Sequence, residues 1–208
     1  GEFIEKMPEK EVRIYGDSAV VTGRFTFHVG EKFSHCGTNA FHLLKKDGVW
    51  KIANASSTLE LTNCETKKDF SAENKDALAA VEKLFELMAA HKPAEIVQMH
   101  TPESQLTALI YGRDGKIQVE NLTREAFSKF FETKRAELAE KMYETKVKVD
   151  GDLATVDGRY IFTVNNKLQH CGMNSFHLLR TADGWKLGNS ISTIEPNGCT
   201  EKEKAMVK

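Results

Sequence analysis

The chain repeats itself, and that constrains its fold more than any other feature. Residues 6–64 align with residues 141–199 without a gap, at a constant offset of 135. The two segments share 28 identities in 59 positions, and many of the remaining pairs are Phe/Tyr or Ile/Leu exchanges. Self-similarity of this kind marks a duplicated structural unit. Residues 71–135 occur once. The order is therefore repeated, single, repeated, and the offset matches one single-plus-repeated unit. The simplest history is a tandem of two such units, seen without its first single segment.

The repeated segment reads as strand throughout. VKVDGDLATVDGRYIFTV, KLQHCGMNSFHLL and GWKLGNSISTIE alternate apolar and polar residues. Gly151-Asp152, Asn165-Asn166 and Asp183-Gly184 supply the turns. The single segment starts helical. Ser71 is the expected N-cap, and Leu78, Val81, Leu84, Phe85 and Met88 form one apolar stripe. Pro93 ends that helix and opens a short second one. Arg113-Asp114-Gly115 joins two β-rich runs as a hairpin. Thr123 then caps a third helix, REAFSKFFETKRAELAEKM, with Phe127, Phe130, Phe131 and Leu138 on its inner face. The expectation is an α+β fold, three helices on a curved antiparallel sheet, preceded by a β-rich half module. The domains fall at 1–70 and 71–208.

Composition excludes several classes. Lys+Arg 29 against Asp+Glu 30 leaves a net charge of −1, which argues against a nucleic-acid or anionic-membrane binder. Hydrophobic residues make up 40% and charged residues 28%, an ordinary globular balance. No apolar run is long enough to span a membrane. GEFIEKMPEK has no apolar core of the signal-peptide type, so no leader is expected within these residues.

At this level the chain resembles the NTF2-like superfamily, also described as SnoaL-like or cystatin-like cones. The residues that carry the resemblance are HTPESQLTALIYGRDGKIQVENLTREAFSKFF (100–131), VDGDLATVDGRYIF and FHLLRTADGWKLGNSIST. It is nearest to the lumazine-binding group, a label that does not make lumazine a ligand here. The resemblance covers 71–196, and residues 6–60 repeat its second half. It implies a cone whose helices and concave sheet enclose a pocket, often in a dimer made through the sheets. Fold alone does not choose among the enzymes, ligand binders and interaction domains built on it. A β half without helices must cover an apolar face. Either it packs on the second sheet as an intrachain pseudo-dimer, which we favour, or the single segment serves the first β half and the second is swapped to another chain.

Cys36, Cys64, Cys171 and Cys199 form one pair in each repeat. If Asp183-Gly184 is a two-residue turn, Ala182 faces Trp185, and counting back sets Cys171 opposite Pro196. Pro196-Asn197-Gly198 can then return Cys199 toward Cys171. A disulfide in each repeat suits an exported protein; four reduced, half-buried thiols are the alternative.

The run His-Cys-Gly-x-Asn-x-Phe-His occurs at His35 and again at His170. Alternation puts His170, Asn174, Phe176 and Leu178 on one face, and Cys171, Ser175 and His177 on the other. Trp185, Leu187, Asn189, Ile191 and Thr193 share a face of the next strand, and Tyr160 joins from the preceding one. The expected ligand-binding set is His170, Asn174, Phe176, Asn189, Trp185, Tyr160 and Tyr111. The competing reading places the Asn and His residues at a bulge or at a sheet–sheet interface, since the half copy keeps His35, Asn39 and Asn54. No metal site is expected, because adjacent His and Cys point to opposite faces and no CxxC or HExxH is present. No catalytic residue and no cofactor is expected either. Inward acidic residues look scarce, Asp157 reads as outward, and Glu195 and Glu60 read as solvated strand ends. The sequence thus points to a non-catalytic protein holding a small, mostly apolar ligand. An interaction module is the alternative, then an isomerase or dehydratase using His170.

Overall fold

The computed structural model describes residues 1–62, 64, 69–112, 114–133 and 136–207. It contains two sheets. The first is built from β1 (Phe3–Lys6), β2 (Lys10–Tyr15), β3 (Ser18–Val29), β4 (Lys32–Lys46) and β5 (Val49–Ser57). Its order is β1-β3-β4-β5, with β2 also paired to β3. The helical segment follows as α1 (Asn74–Ala89), α2 (Pro93–Gln98), the hairpin β6 (His100–Tyr111) and β7 (Ile117–Thr123), and α3 (Arg124–Ser128). The second sheet is completed by β8 (Leu138–Asp150), β9 (Leu153–Val164), β10 (Lys167–Thr181) and β11 (Gly184–Ile194), and a short α4 spans Glu201–Ala205. Its order is β7-β6-β11-β10-β9-β8. All neighbours run antiparallel except β11 and β6, which are parallel.

Strands fall at matching positions in the two similar segments. At the same offset β3, β4 and β5 correspond to β9, β10 and β11, while β1 and β2 correspond to the two ends of β8. The turns explain the register. Asn165 and Asn166 both have positive φ, and they link Val164 to Lys167 as a two-residue hairpin of the kind that matches strand twist.

Among the described residues there are four helices rather than the expected three, α4 being the addition, and two of the expected ones differ at their ends. α1 is preceded by a 3₁₀ turn, Ser71–Glu73, with no side-chain cap from Ser71, whose N–H instead bonds Asp69 Oδ1. The third helix stops early. Thr123 caps it, accepting from the Ala126 N–H at 3.2 Å, but α3 ends at Ser128 with a 3₁₀ turn to Phe131. From Leu138 the chain is strand, paired with β9. The run LAEKM has strong helix propensity, yet edge pairing onto a long strand overrides it. Arg113 of the expected hairpin turn, and Lys134 and Arg135 of the expected third helix, lie outside the described residues.

The core lies between α1 and the second sheet. Ala77, Val81, Leu84, Phe85 and Met88 pack on Val149, Val156, Phe176, Leu178, Trp185 and Leu187. That is the expected helical stripe with Ala77 added and Leu78 at its margin. The opposite face of this sheet meets the first sheet. There His42 and His177 stack at 3.6 Å between ring centroids. His42 Nε2 lies 2.8 Å from Ser175 Oγ, and Ser175 donates to Asp157 at 2.5 Å. Arg13 Nε lies 2.6 Å from Asp157 Oδ2, an ion pair from β2 to β9 with the carboxylate fully buried. Burial lowers the His42 pKa to about 3, so both imidazoles are neutral in neutral solution and can stack without repulsion.

Candidate functional site

A cavity of about 430 Å³ lies between the helices and the concave face of the second sheet. Leu84, Phe85 and Met88 of α1 form one wall. Phe127, Phe130 and Phe131 form another, with Phe130 largely exposed. The sheet supplies Tyr160, Phe162, His170, Asn174 and Phe176 from β9 and β10. Ser190, Ser192 and Ile194 come from β11, and Leu138 and Glu140 from β8.

Two carboxyls line the cavity, the exposed Glu120 of β7 and Glu140 of β8 beside Asn174. Asn174 Nδ2 donates to Glu140 Oε1 at 2.6 Å. Burial among apolar side chains raises the Glu140 pKa from 4.5 to about 7, against the lowering effect of the Asn174 bond. His170 stacks on Phe162 at 4.9 Å and meets Tyr160 edge-on. Burial depresses the His170 pKa to about 4, so the ring is neutral in neutral solution. The Tyr160 hydroxyl donates to Thr193 O at 2.8 Å and is committed to the sheet. Glu140 and His170 both face the cavity with pKa values shifted by burial. A carboxyl with a pKa near 7 can donate or accept a proton under mild conditions.

Of the expected set, His170, Asn174, Phe176 and Tyr160 line this cavity, and Asn189, Trp185 and Tyr111 do not. A register shift explains Asn189. The pairing passes from Leu178↔Leu187 to His177↔Asn189, a bulge at Gly188. Beyond it the faces exchange. Asn189 instead donates to Ala55 O and Ser56 Oγ of the first sheet, and Ser190 and Ser192 turn to the cavity. Trp185, before the bulge, packs in the core beneath Arg180, whose guanidinium sits 4.2 Å above the indole. Tyr111 belongs to a separate cleft between the sheets and donates to Asp17 at 3.1 Å.

Glu140 escaped sequence reasoning because residues 138–142 read as helix. The available signal was the repeat: Glu5 falls in register with Glu140, and Asn39 Nδ2 donates to Glu5 at 2.9 Å. Asp157 points away from the cone as expected, yet it is buried under the first sheet rather than solvated. Glu195 and Glu60 are ion-paired rather than free, to Arg159 and Arg24 respectively, each at 3.2 Å.

The remaining residues of the repeated motif are structural. Cys36–Cys64 and Cys171–Cys199 are disulfides, with Cα atoms 5.7 and 5.5 Å apart. Cys171 bridges Glu195, one residue short of the expected Pro196. The hairpin pairs Thr181 with Gly184, which moves the register by two, and the bulge restores one. At Gly172 any Cβ would collide with the Thr193 carbonyl, and at Gly37 with that of Thr58. Cys171, Cys199 and Glu203 cluster closely, but both sulfurs are consumed by the bridge. Two disulfides fit an extracytoplasmic location. Among the described residues no helix is long and apolar enough to cross a membrane.

A curled sheet with helices laid over its concave face around a cavity is the cystatin-like fold of NTF2-like proteins. Solved structures similar to this chain exist. A cystatin-like protein of unknown function from Nostoc punctiforme superposes with a TM-score of 0.50 at 8% identity, covering 63% of this chain and 97% of that one. An NTF2-like protein from Novosphingobium aromaticivorans gives 0.47 at 12% identity, covering 69% and 99%. One of unknown function from Shewanella baltica gives 0.47 at 11%, covering 63% and 100%. At these identities the likeness is one of fold. No family model and no curated protein matches the chain.

Proposed function

We propose that the cavity of the second sheet binds a small, mostly apolar molecule carrying one polar group that meets Glu140 and Asn174. The observation behind this reading is the composition of the walls: mostly aromatic and aliphatic side chains, with a few polar groups among which a Glu–Asn pair is hydrogen-bonded. A pocket of this size with few convergent polar groups is the usual form of a small-ligand site. On this reading residues 71–208 are a complete module and 1–70 a half module packed against it as a pseudo-dimer. Native mass spectrometry of the purified chain tests the proposal. A retained mass of a few hundred daltons, released on denaturation and absent from Phe176→Asp, is expected. Identical retention by that variant refutes the site.

Acid–base catalysis in the same cavity is the second reading, and Glu140 favours it. A carboxyl held near pKa 7 in apolar surroundings is what a general acid or base requires at neutral pH. The two readings separate on Glu140→Gln once a ligand mass is known. A bound molecule recovered unchanged from both chains supports binding alone. Conversion by the parent chain and not by the variant supports catalysis.

A further inference from the structure

The first sheet has the same concave face as the second, and among the described residues no helix covers it. Val149, Trp185 and Leu187 are 8%, 8% and 1% exposed beneath the helical layer, whereas their counterparts Ile14, Trp50 and Ile52 are 62%, 36% and 63% exposed. Phe3 and Leu59, counterparts of the cavity residues Leu138 and Ile194, are also bare. These side chains have kept the bulk and apolarity of a helix-covered surface. A solvated sheet face ordinarily carries polar residues at such positions. An exposed apolar patch of this kind marks an interaction site.

The polar constellation is preserved as well. Asn39 donates to Glu5 as Asn174 does to Glu140. His35 stacks on Phe27 at 4.8 Å, as His170 does on Phe162 at 4.9 Å. Arg180 anchors the start of the helical layer by pairing with Glu73. Its counterpart Lys45 sits over Trp50 with no acidic partner among the described residues.

We infer that the open face of the first sheet is a docking surface for an amphipathic helical layer of the kind that α1 lays on the second sheet. The occupant carries an apolar stripe spaced like Ala77, Val81, Leu84, Phe85 and Met88, with a carboxylate at its N-terminal end to meet Lys45. Its arrival closes a second cavity around Phe27, His35, Asn39 and Glu5. A second copy of this chain fits the face less well. Its own α1 is already engaged, and apposing two such sheets brings two Glu5 carboxylates toward one apolar interface, a costly burial.

The test uses the whole chain and a synthetic peptide of residues 71–92, stapled across the exposed positions Lys75 and Ala79. The two indole N–H resonances report the two sheets separately. Saturable shifts are expected at Trp50, Ile14, Phe41 and Ile52, with Trp185 unmoved. Ile52→Glu is expected to keep the parent melting temperature and to weaken the peptide by about tenfold or more, and Ile14→Glu to do the same. Shifts confined to Trp185, or none up to millimolar peptide, overturn the inference. So does a melting temperature that collapses in both variants, because the face is then already covered. A parent dimer that Ile52→Glu converts to monomer in sedimentation also overturns it, in favour of a second copy.

Discussion

Replacing Glu140 with Gln removes a titration and leaves the shape of the cavity. The raised pKa means that the folded chain holds this proton between pH 4.5 and about 7, where the unfolded chain has released it. Stability associated with the group is therefore present in acid, declines as pH rises through that window, and is flat above it. One pKa unit is worth about 1.4 kcal/mol, so the full shift amounts to roughly 3 kcal/mol at most. The parent profile alone hides the effect. His42 with a pKa of about 3, His170 at about 4, and His100 and His177, also lowered by burial, bind fewer protons folded than unfolded. They make stability rise with pH up to the ordinary histidine range, opposite to Glu140. The difference between parent and Glu140→Gln isolates the carboxyl. In urea unfolding the variant should match the parent near pH 4.5 and exceed it by roughly 2–3 kcal/mol at pH 8. Asn174 can still donate to the Gln carbonyl, which keeps the comparison clean. A flat difference across that range refutes the placement of the carboxyl among apolar side chains, as does a carboxyl carbon resonance titrating near pH 4.5.

Three further outcomes follow from the sheet–sheet face and the strand ends. Arg13→Met leaves Asp157 buried without its counter-charge and should cost roughly 3–5 kcal/mol in denaturant melts. Arg13→Met combined with Asp157→Leu should recover most of that loss, and failure to recover means that the pair is not the reason. Reduction should add two hydrogens of mass per bridge, and loss of either disulfide should destabilise by roughly 2–4 kcal/mol in thermal melts; full thiol mass after oxidative refolding contradicts both bridges. Gly172→Ala should cost roughly 1–3 kcal/mol, because its methyl group must displace the Thr193 backbone beside the Cys171 bridge. An unchanged melting curve shows that the strands do not approach there.

What the sequence disclosed depended on whether a feature repeats with a regular period. The strand correspondence, the alternating faces of β10 and the disulfide partners all follow from period-two arithmetic anchored on Gly and Asn turns. Where one residue breaks the period, that arithmetic places later side chains on the wrong face. Gly188 does this in β11. The Cys171 register came within one residue only because the displaced hairpin turn and the bulge shift the count in opposite directions. Glu140 was lost for a different reason. Leu, Ala, Glu, Lys and Met are all strong helix formers, and their strand state is imposed by β9, a contact that no local window contains. The buried faces of Asp157 and His177 depend on a partner sheet more than a hundred residues away. The duplication offers a correction for both kinds of loss, because each position is seen in two surroundings. Glu5 lies in β1, paired with Phe27 of β3, and it points to the strand at Glu140. Leu187 lies under a helix, and it predicts that Ile52 requires one.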